Sequence, residues 1–143
     1  MGEQPEPLAA NLGWLLAQAS HVLKTELTAA LEGLGVSPRA YHVLSTALGK
    51  RYTQTELARI VGVDKTTMVV TLDELEVAGL AERRASPVDR RTRVVMVTEA
   101  GARKVRQAEE IAARIHADVL ETLPAPQRRT LLDGLARLAA SAP

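Results

Sequence analysis

The chain contains no cysteine and no phenylalanine, and its only aromatic residues are Trp14, Tyr41 and Tyr52. The missing thiols exclude disulfides, thiolate zinc sites, cysteine nucleophiles and thiol-based redox sensing. So few aromatics leave Leu, Val, Ile and Ala to build the core. No run of about eighteen apolar residues occurs, so no membrane-spanning helix is expected. The opening MGEQPEPLAA lacks a basic stretch followed by an apolar one, so no signal peptide is expected and the location is read as cytoplasmic. A marked excess of one charge is also missing. Eighteen Lys and Arg face 17 Asp and Glu, for a formal net charge of +1, too little by itself to argue for nucleic acid. The three histidines are scattered and there is no Gly-rich phosphate loop, so neither an enzyme nor a cofactor is expected.

What is present is periodicity. The 143 residues suit one domain, or one compact body carrying an extended dimerisation layer. Met1–Pro7, with two prolines and two glutamates, reads as a loose tail. From Leu8, apolar residues recur at gaps of three and four through Leu12, Leu15, Leu16, Val22, Leu23, Leu27 and Leu31, predicting one long amphipathic helix ended by Gly33 and Gly35. Ser37 caps and Pro38 opens a second helix to about Leu48. Thr53 or Thr55 caps a third, which stops at Gly62. A fourth starts near Asp64, turns Met68, Leu72 and Leu75 inward, and stops at Gly79. The period then falls to near two: Leu80–Arg84 and Thr92–Val97 read as paired strands joined by Ala85–Arg91. Thr98 caps a long helix to Leu123 with Val105, Ile111, Ile115 and Val119 on one side. After Pro124 and Pro126 a last amphipathic helix covers residues 127–142.

The predicted fold is mainly α with a small antiparallel β-wing: a winged helix-turn-helix flanked by long N- and C-terminal dimerisation helices. Residues 37–98 form the DNA-binding domain, and residues 1–36 and 99–143 the dimerisation helices. Ala58 and Gly62 suit the turn, a small residue for close helix approach and a glycine for a left-handed backbone. The N-terminal part of the fourth helix is then placed to enter a DNA major groove. Asp64, Lys65, Thr66, Thr67, Val69, Val70 and Thr71 are the candidate contacts. Lys65 can reach guanine or phosphate, the Thr hydroxyls can donate, and the valines and Thr methyls can touch thymine methyls. Between Arg83 and Arg93 stand Arg83, Arg84, Arg90, Arg91 and Arg93 against one acid, Asp89. The Asp89-Arg90-Arg91 tip suits a narrow minor groove, whose negative potential attracts arginine. Asp89 is expected to orient Arg91 or Arg90.

The blocks GVDKTTMVVTLDELEVAGLAERR and SPVDRRTRVVMVTEAG resemble the MarR family of bacterial transcriptional regulators. The most specific part is Asp89-x-Arg91, followed by a hydrophobic strand and Thr98-x-x-Gly101. The resemblance covers nearly the whole chain. It implies a homodimer on a pseudo-palindromic double-stranded DNA operator, usually repressing, and often released by a small aromatic or phenolic ligand. It also makes Arg91 the first choice for the minor groove, with Arg90 beside it on the backbone. Many members carry an arginine near the middle of the recognition helix, where this chain has Val69-Val70-Thr71. Direct base reading is therefore expected to lean on Lys65, methyl contacts and DNA shape.

The apolar stripes Leu8, Leu12, Leu15, Leu16 and Leu131, Leu132, Leu135, Leu138 exceed what a small winged helix can cover alone, which predicts a dimer. Two recognition helices about 34 Å apart would match successive major grooves. Trp14, His21, Tyr41, His42 and His116 are the candidates for an effector pocket. A zinc site from His21, His42 and His116 lacks the His-x-x-x-His spacing, so no metal is expected. The alternatives are a winged-helix protein-interaction module and a DNA-binding regulator without a ligand.

Overall fold

The computed structural model describes residue 3 and residues 5–141. The long helices are α1 (Leu12–Leu31), α5 (Glu99–Leu120) and α6 (Ala125–Ala140). Between α1 and α5 lie α2 (Pro38–Ala47), α3 (Gln54–Val61), α4 (Lys65–Val77), β1 (Ala81–Ala85) and β2 (Arg93–Val97). Contacts divide the chain into two compact units. One holds the described residues up to Leu27 with those from Ala112 onward, and the other is Thr28–Ile111. The tail expected over Met1–Pro7 falls partly on residues outside the described set, as does Ala142 at the end of the last helix.

In the unit Thr28–Ile111, local chemistry sets the element boundaries. The Ser37 hydroxyl accepts from the Ala40 N–H at 3.0 Å, with Pro38 in the first turn of α2. Thr53, not Thr55, caps α3 through a reciprocal box. Its hydroxyl accepts from the Glu56 N–H at 3.1 Å while Glu56 accepts from the Thr53 N–H at 3.0 Å. Such caps contribute about 1 kcal/mol each by satisfying amides that the helix leaves open. Gly62 takes φ 82°, a left-handed turn that a side chain would strain, and the Gly62 and Val63 N–H groups both donate to the Ala58 carbonyl. Ala58 is buried, so its small side chain is what lies at the helix-turn-helix corner.

The core of this unit is aliphatic, as the shortage of aromatics requires. Val43, Leu44, Leu57, Met68, Leu72 and Val95 are buried within one cluster, and burying a side chain of this size contributes about 1.5–3 kcal/mol. β1 and β2 pair antiparallel with Ala81 opposite Val97 and Ala85 opposite Arg93. A bridge between Thr53 and Val94, with the Val95 N–H donating to the Tyr52 carbonyl at 2.9 Å, ties the segment before α3 to the outer side of β2. At the other end of the hairpin Thr98 starts α5. Its hydroxyl accepts from the Gly101 N–H at 3.0 Å and donates to the Gly79 carbonyl at 2.7 Å.

The first helix starts later than its leucine spacing predicts. Glu6–Leu8 is a separate 3₁₀ turn, and α1 begins at Leu12 because the Asn11 side chain accepts from the Trp14 N–H at 2.9 Å. Pro5 and Pro7 hold the chain before it out of a regular helix. α5 ends at Leu120 rather than Leu123, and α6 starts at Ala125, with Pro126 in its first turn.

In the other unit the apolar stripes are uncovered. Leu12, Leu15, Leu16 and Val22 of α1 are exposed, as are Leu131, Leu132, Leu135 and Leu138 of α6, and no residue of α6 is buried. Among the described residues no helix is long and apolar enough to cross a membrane.

Candidate nucleic-acid interface

The first two turns of α4 separate cleanly into an inner and an outer face. Met68, Thr71, Leu72 and Leu75 point inward and are buried. Lys65, Thr66, Val69 and Val70 recur at three- and four-residue steps on the opposite side and are exposed. Asp64 caps the helix, its carboxylate accepting from the Thr67 N–H at 2.6 Å. That bond, aided by the Thr67 hydroxyl, holds the Asp64 carboxyl below its usual range. Asp64 and Thr67 are thus occupied in starting the helix.

Thr71 departs from its sequence-predicted role. It is 4% exposed, and its hydroxyl donates to the Thr67 carbonyl at 2.8 Å. Packing turns it into the core one step beyond the outward valines, so it has no surface to offer a groove.

The arginines of the hairpin fall into two kinds. Arg83 is a structural tie. Its guanidinium bonds Glu76 at 2.9 Å, Gln54 at 3.1 Å and also Asp73, while its backbone N–H donates to Glu76 at 2.8 Å. One side chain therefore joins β1 to the C-terminal half of α4 and to the start of α3, fixing the hairpin relative to the recognition helix. Arg84 pairs with Glu82 at 2.6 Å along its own strand. Arg90, Arg91 and Arg93 are exposed and, among the described residues, make no ion pair.

The Arg83 tie has a pH signature. Hydrogen bonds from Arg83 hold the Glu76 carboxyl below the ordinary carboxylate range. A carboxyl depressed in the folded chain stabilises it above the unfolded value, and that stability is lost as pH falls through the folded one. Glu76→Gln is accordingly expected to flatten the fall of Tm on acidification below about pH 4. Thermal melts across that range check this, and an acid slope identical to the native chain's would refute it.

At the hairpin tip Asp89 acts on the backbone. Its carboxylate accepts from the Arg91 N–H at 3.0 Å and from the Thr92 hydroxyl at 3.3 Å. The Ser86 hydroxyl accepts from the Val88 N–H at 3.2 Å, and the Ser86 N–H donates to the Thr92 carbonyl at 2.8 Å. Asp89 therefore orients Arg91 by fixing its main chain, and among the described residues the guanidinium makes no ion pair. Two further cations near the hairpin escape the sequence reading. Arg93 is one of a run of five arginines that local sequence does not distinguish, and Arg51 lies on a stretch that becomes sheet-like only by bridging β2. Arg51 and Arg84 line a cleft of about 300 Å³ beside Ser86, Pro87 and Val94.

The candidate effector residues are distributed between the two units. Tyr41 and His42 sit together on α2, ring centroids 5.3 Å apart. They line a hollow of about 280 Å³ with Ser45, Thr46, Ile60 and Val61. The Ser45 hydroxyl is buried without a hydrogen-bond partner. Trp14 and His21 lie on α1 and His116 on α5, all within the other unit. Among the described residues no group of three or more His, Asp or Glu is placed to hold a metal ion.

Known proteins share this arrangement. The sequence profile of the MarR family matches residues 34–92. The HTH-type transcriptional repressor Rv2887 of Mycobacterium tuberculosis is 35% identical over 123 residues, 84% of this chain and 87% of that protein. The structure of the transcriptional repressor CouR of Rhodococcus jostii RHA1 bound to a 23-mer DNA duplex matches with a TM-score of 0.85 at 29% identity, over 97% of this chain and 99% of that one. Rv2887 in complex with p-aminosalicylic acid matches with a TM-score of 0.75 at 32% identity, over 90% of this chain and 98% of that one.

Proposed function

The chain belongs to the MarR family, and from that membership we propose that it is a homodimeric, sequence-specific DNA-binding repressor of transcription, released by a small aromatic acid. One observation carries the reading: the exposed face of α4 and an Asp89-braced tip presenting Arg90 and Arg91 are fixed to each other by the Arg83 tie. A recognition helix for the major groove and an arginine for the adjacent minor groove are thereby held as one body. Lys65, Thr66, Val69 and Val70 face the bases or the adjoining phosphates in this reading. The repressor name of the Rv2887 relative and the DNA-bound state of CouR support it.

The exposed leucines of α1 and α6 support the dimer. Exposed apolar residues recurring along a helix in this way mark an interaction face. Residues 1–36 with 99–143 are read as the dimerisation helices, residues 37–98 as the DNA-binding domain, and the site of action as the cytoplasm. The role is regulatory rather than catalytic.

For the effector, the Tyr41–His42 hollow combines an apolar wall, two rings and a buried hydroxyl lacking a partner, which suits a salicylate-sized molecule. The p-aminosalicylic acid complex of Rv2887 supports that chemical class. Trp14, His21 and His116 remain candidates from the other unit.

Fluorescence anisotropy of the full chain with duplexes from the DNA flanking its own coding sequence tests the proposal. Log Kd is expected to rise with log salt at roughly 0.9 per neutralised phosphate, and salicylate is expected to weaken binding. Equal, salt-insensitive affinity for flanking and unrelated duplexes would sink the DNA reading. Indifference to a panel of aromatic acids would sink the effector.

A further inference from the structure

The centre of the outward face of α4 is poor in hydrogen-bonding groups. Thr71 is buried with its hydroxyl bonded to the helix, and Asp64 and Thr67 are taken up in the cap. Asp73, the next residue along the outward face, is bonded to Arg83. In the N-terminal half of the face Lys65, Thr66, Val69 and Val70 are left, with the exposed Glu74 one turn beyond Val70. The two valines, 40% and 51% exposed, sit at its centre and can neither donate nor accept a hydrogen bond.

In a major groove the base edges present donors and acceptors almost throughout. The one apolar group is the 5-methyl of thymine. Against any other edge, paired valines would strip water from polar base atoms without replacing its hydrogen bonds.

Resting on the DNA-binding reading, we infer that Val69 and Val70 are the specificity-determining residues of the recognition helix, and that what they select is the base 5-methyl group at two neighbouring positions of each operator half-site. Thymine is chosen there for its methyl, not for its hydrogen-bonding edge. The same surface responds to a cytosine only when that cytosine is 5-methylated.

The test begins with duplexes selected by the full chain from a random-sequence pool. Selected half-sites are expected to hold thymine at two fixed neighbouring positions. Replacing those thymines by deoxyuridine removes only the methyls, and affinity should fall about fourfold per methyl, the equivalent of one buried methyl-sized group. The Val69→Ala, Val70→Ala double variant keeps good helix formers at both exposed positions, and it should lose most of the preference for thymine over uracil duplexes. Equal binding of both duplexes by the native chain would overturn the inference while leaving DNA binding intact. So would a double variant that discriminates as strongly as the native chain, since the methyl would then act through DNA shape. Failure to enrich any duplex from the pool would instead overturn the DNA-binding reading, and this inference with it.

Discussion

Arg91→Ala is expected to lower operator affinity about a hundredfold while leaving the melting temperature of the free protein nearly unchanged. The guanidinium is exposed and makes no ion pair among the described residues, so the folded chain loses no ion pair when it is removed. Surface substitutions of this kind stay within about 0.5 kcal/mol. Its main chain, in contrast, is fixed by Asp89 at 3.0 Å. The side chain starts from a defined point, and little ordering cost remains when it enters a groove. An arginine in a narrow minor groove gains from the concentrated negative potential there. With a loss of roughly 1–2 kcal/mol at each of two wings, the dimer drops by about two decades in Kd. The salt slope should fall by about two, one for each arginine withdrawn from the phosphate field. Anisotropy titrations at several salt concentrations, beside a thermal melt, measure all three quantities. Unchanged affinity and slope would remove the wing from the interface. An equal loss of melting temperature would recast Arg91 as a structural residue.

The second large effect is on stability. Gly101→Ala is expected to destabilise the fold by about 2–4 kcal/mol and to lower Tm by roughly 10 °C. At an open helical position the same change would stabilise by about 1 kcal/mol, because alanine is the better helix former. Here the sign reverses. A Cβ at Gly101 would lie 2.1 Å from the Leu80 carbonyl oxygen and 2.7 Å from the Val97 side chain. The obstacle is backbone, and it is not free to move. The Leu80 carbonyl accepts from the Thr98 N–H at 3.1 Å, and the Thr98 hydroxyl holds the Gly79 carbonyl at 2.7 Å. The Thr98-x-x-Gly101 spacing is thus a docking joint. Threonine caps α5 and grips the turn before β1, while glycine lets the helix approach that turn closely. A scanning-calorimetry Tm within a degree or two of the native value would show that the turn yields and that the joint is not rigid.

Much of this architecture is legible from local chemistry. Ser37-Pro38, Thr53 with Glu56, Asp64 and Thr98 are short-range caps whose partners lie three residues away, so each helix start can be read by inspection. Asn11 works in the same way, but the regular leucine spacing from Leu8 masks it. The valine-rich run of β2 and the arginine-bearing loop before it likewise mark the hairpin without reference to the rest of the chain. The family resemblance rests on these same local features.

The arginine run shows where local reading ends. Arg83, Arg90, Arg91 and Arg93 are chemically identical in sequence and differ only in what the fold brings to them. Arg83 meets Asp73 and Glu76 from the preceding helix and Gln54 from 29 residues away, and becomes a strut. The Arg90 and Arg91 guanidinium groups make no ion pair among the described residues and stay available. The same division separates Thr71 from Val70, adjacent residues of similar size that helical rotation and packing send to opposite faces. By itself, then, the sequence determined the order of elements, their caps, the aliphatic core and the winged plan, because these depend on side chains within a turn or two of one another. Only the tertiary structure decided which cations are spent on holding the wing and which remain for a partner, because ion pairing and burial are set by residues far apart along the chain.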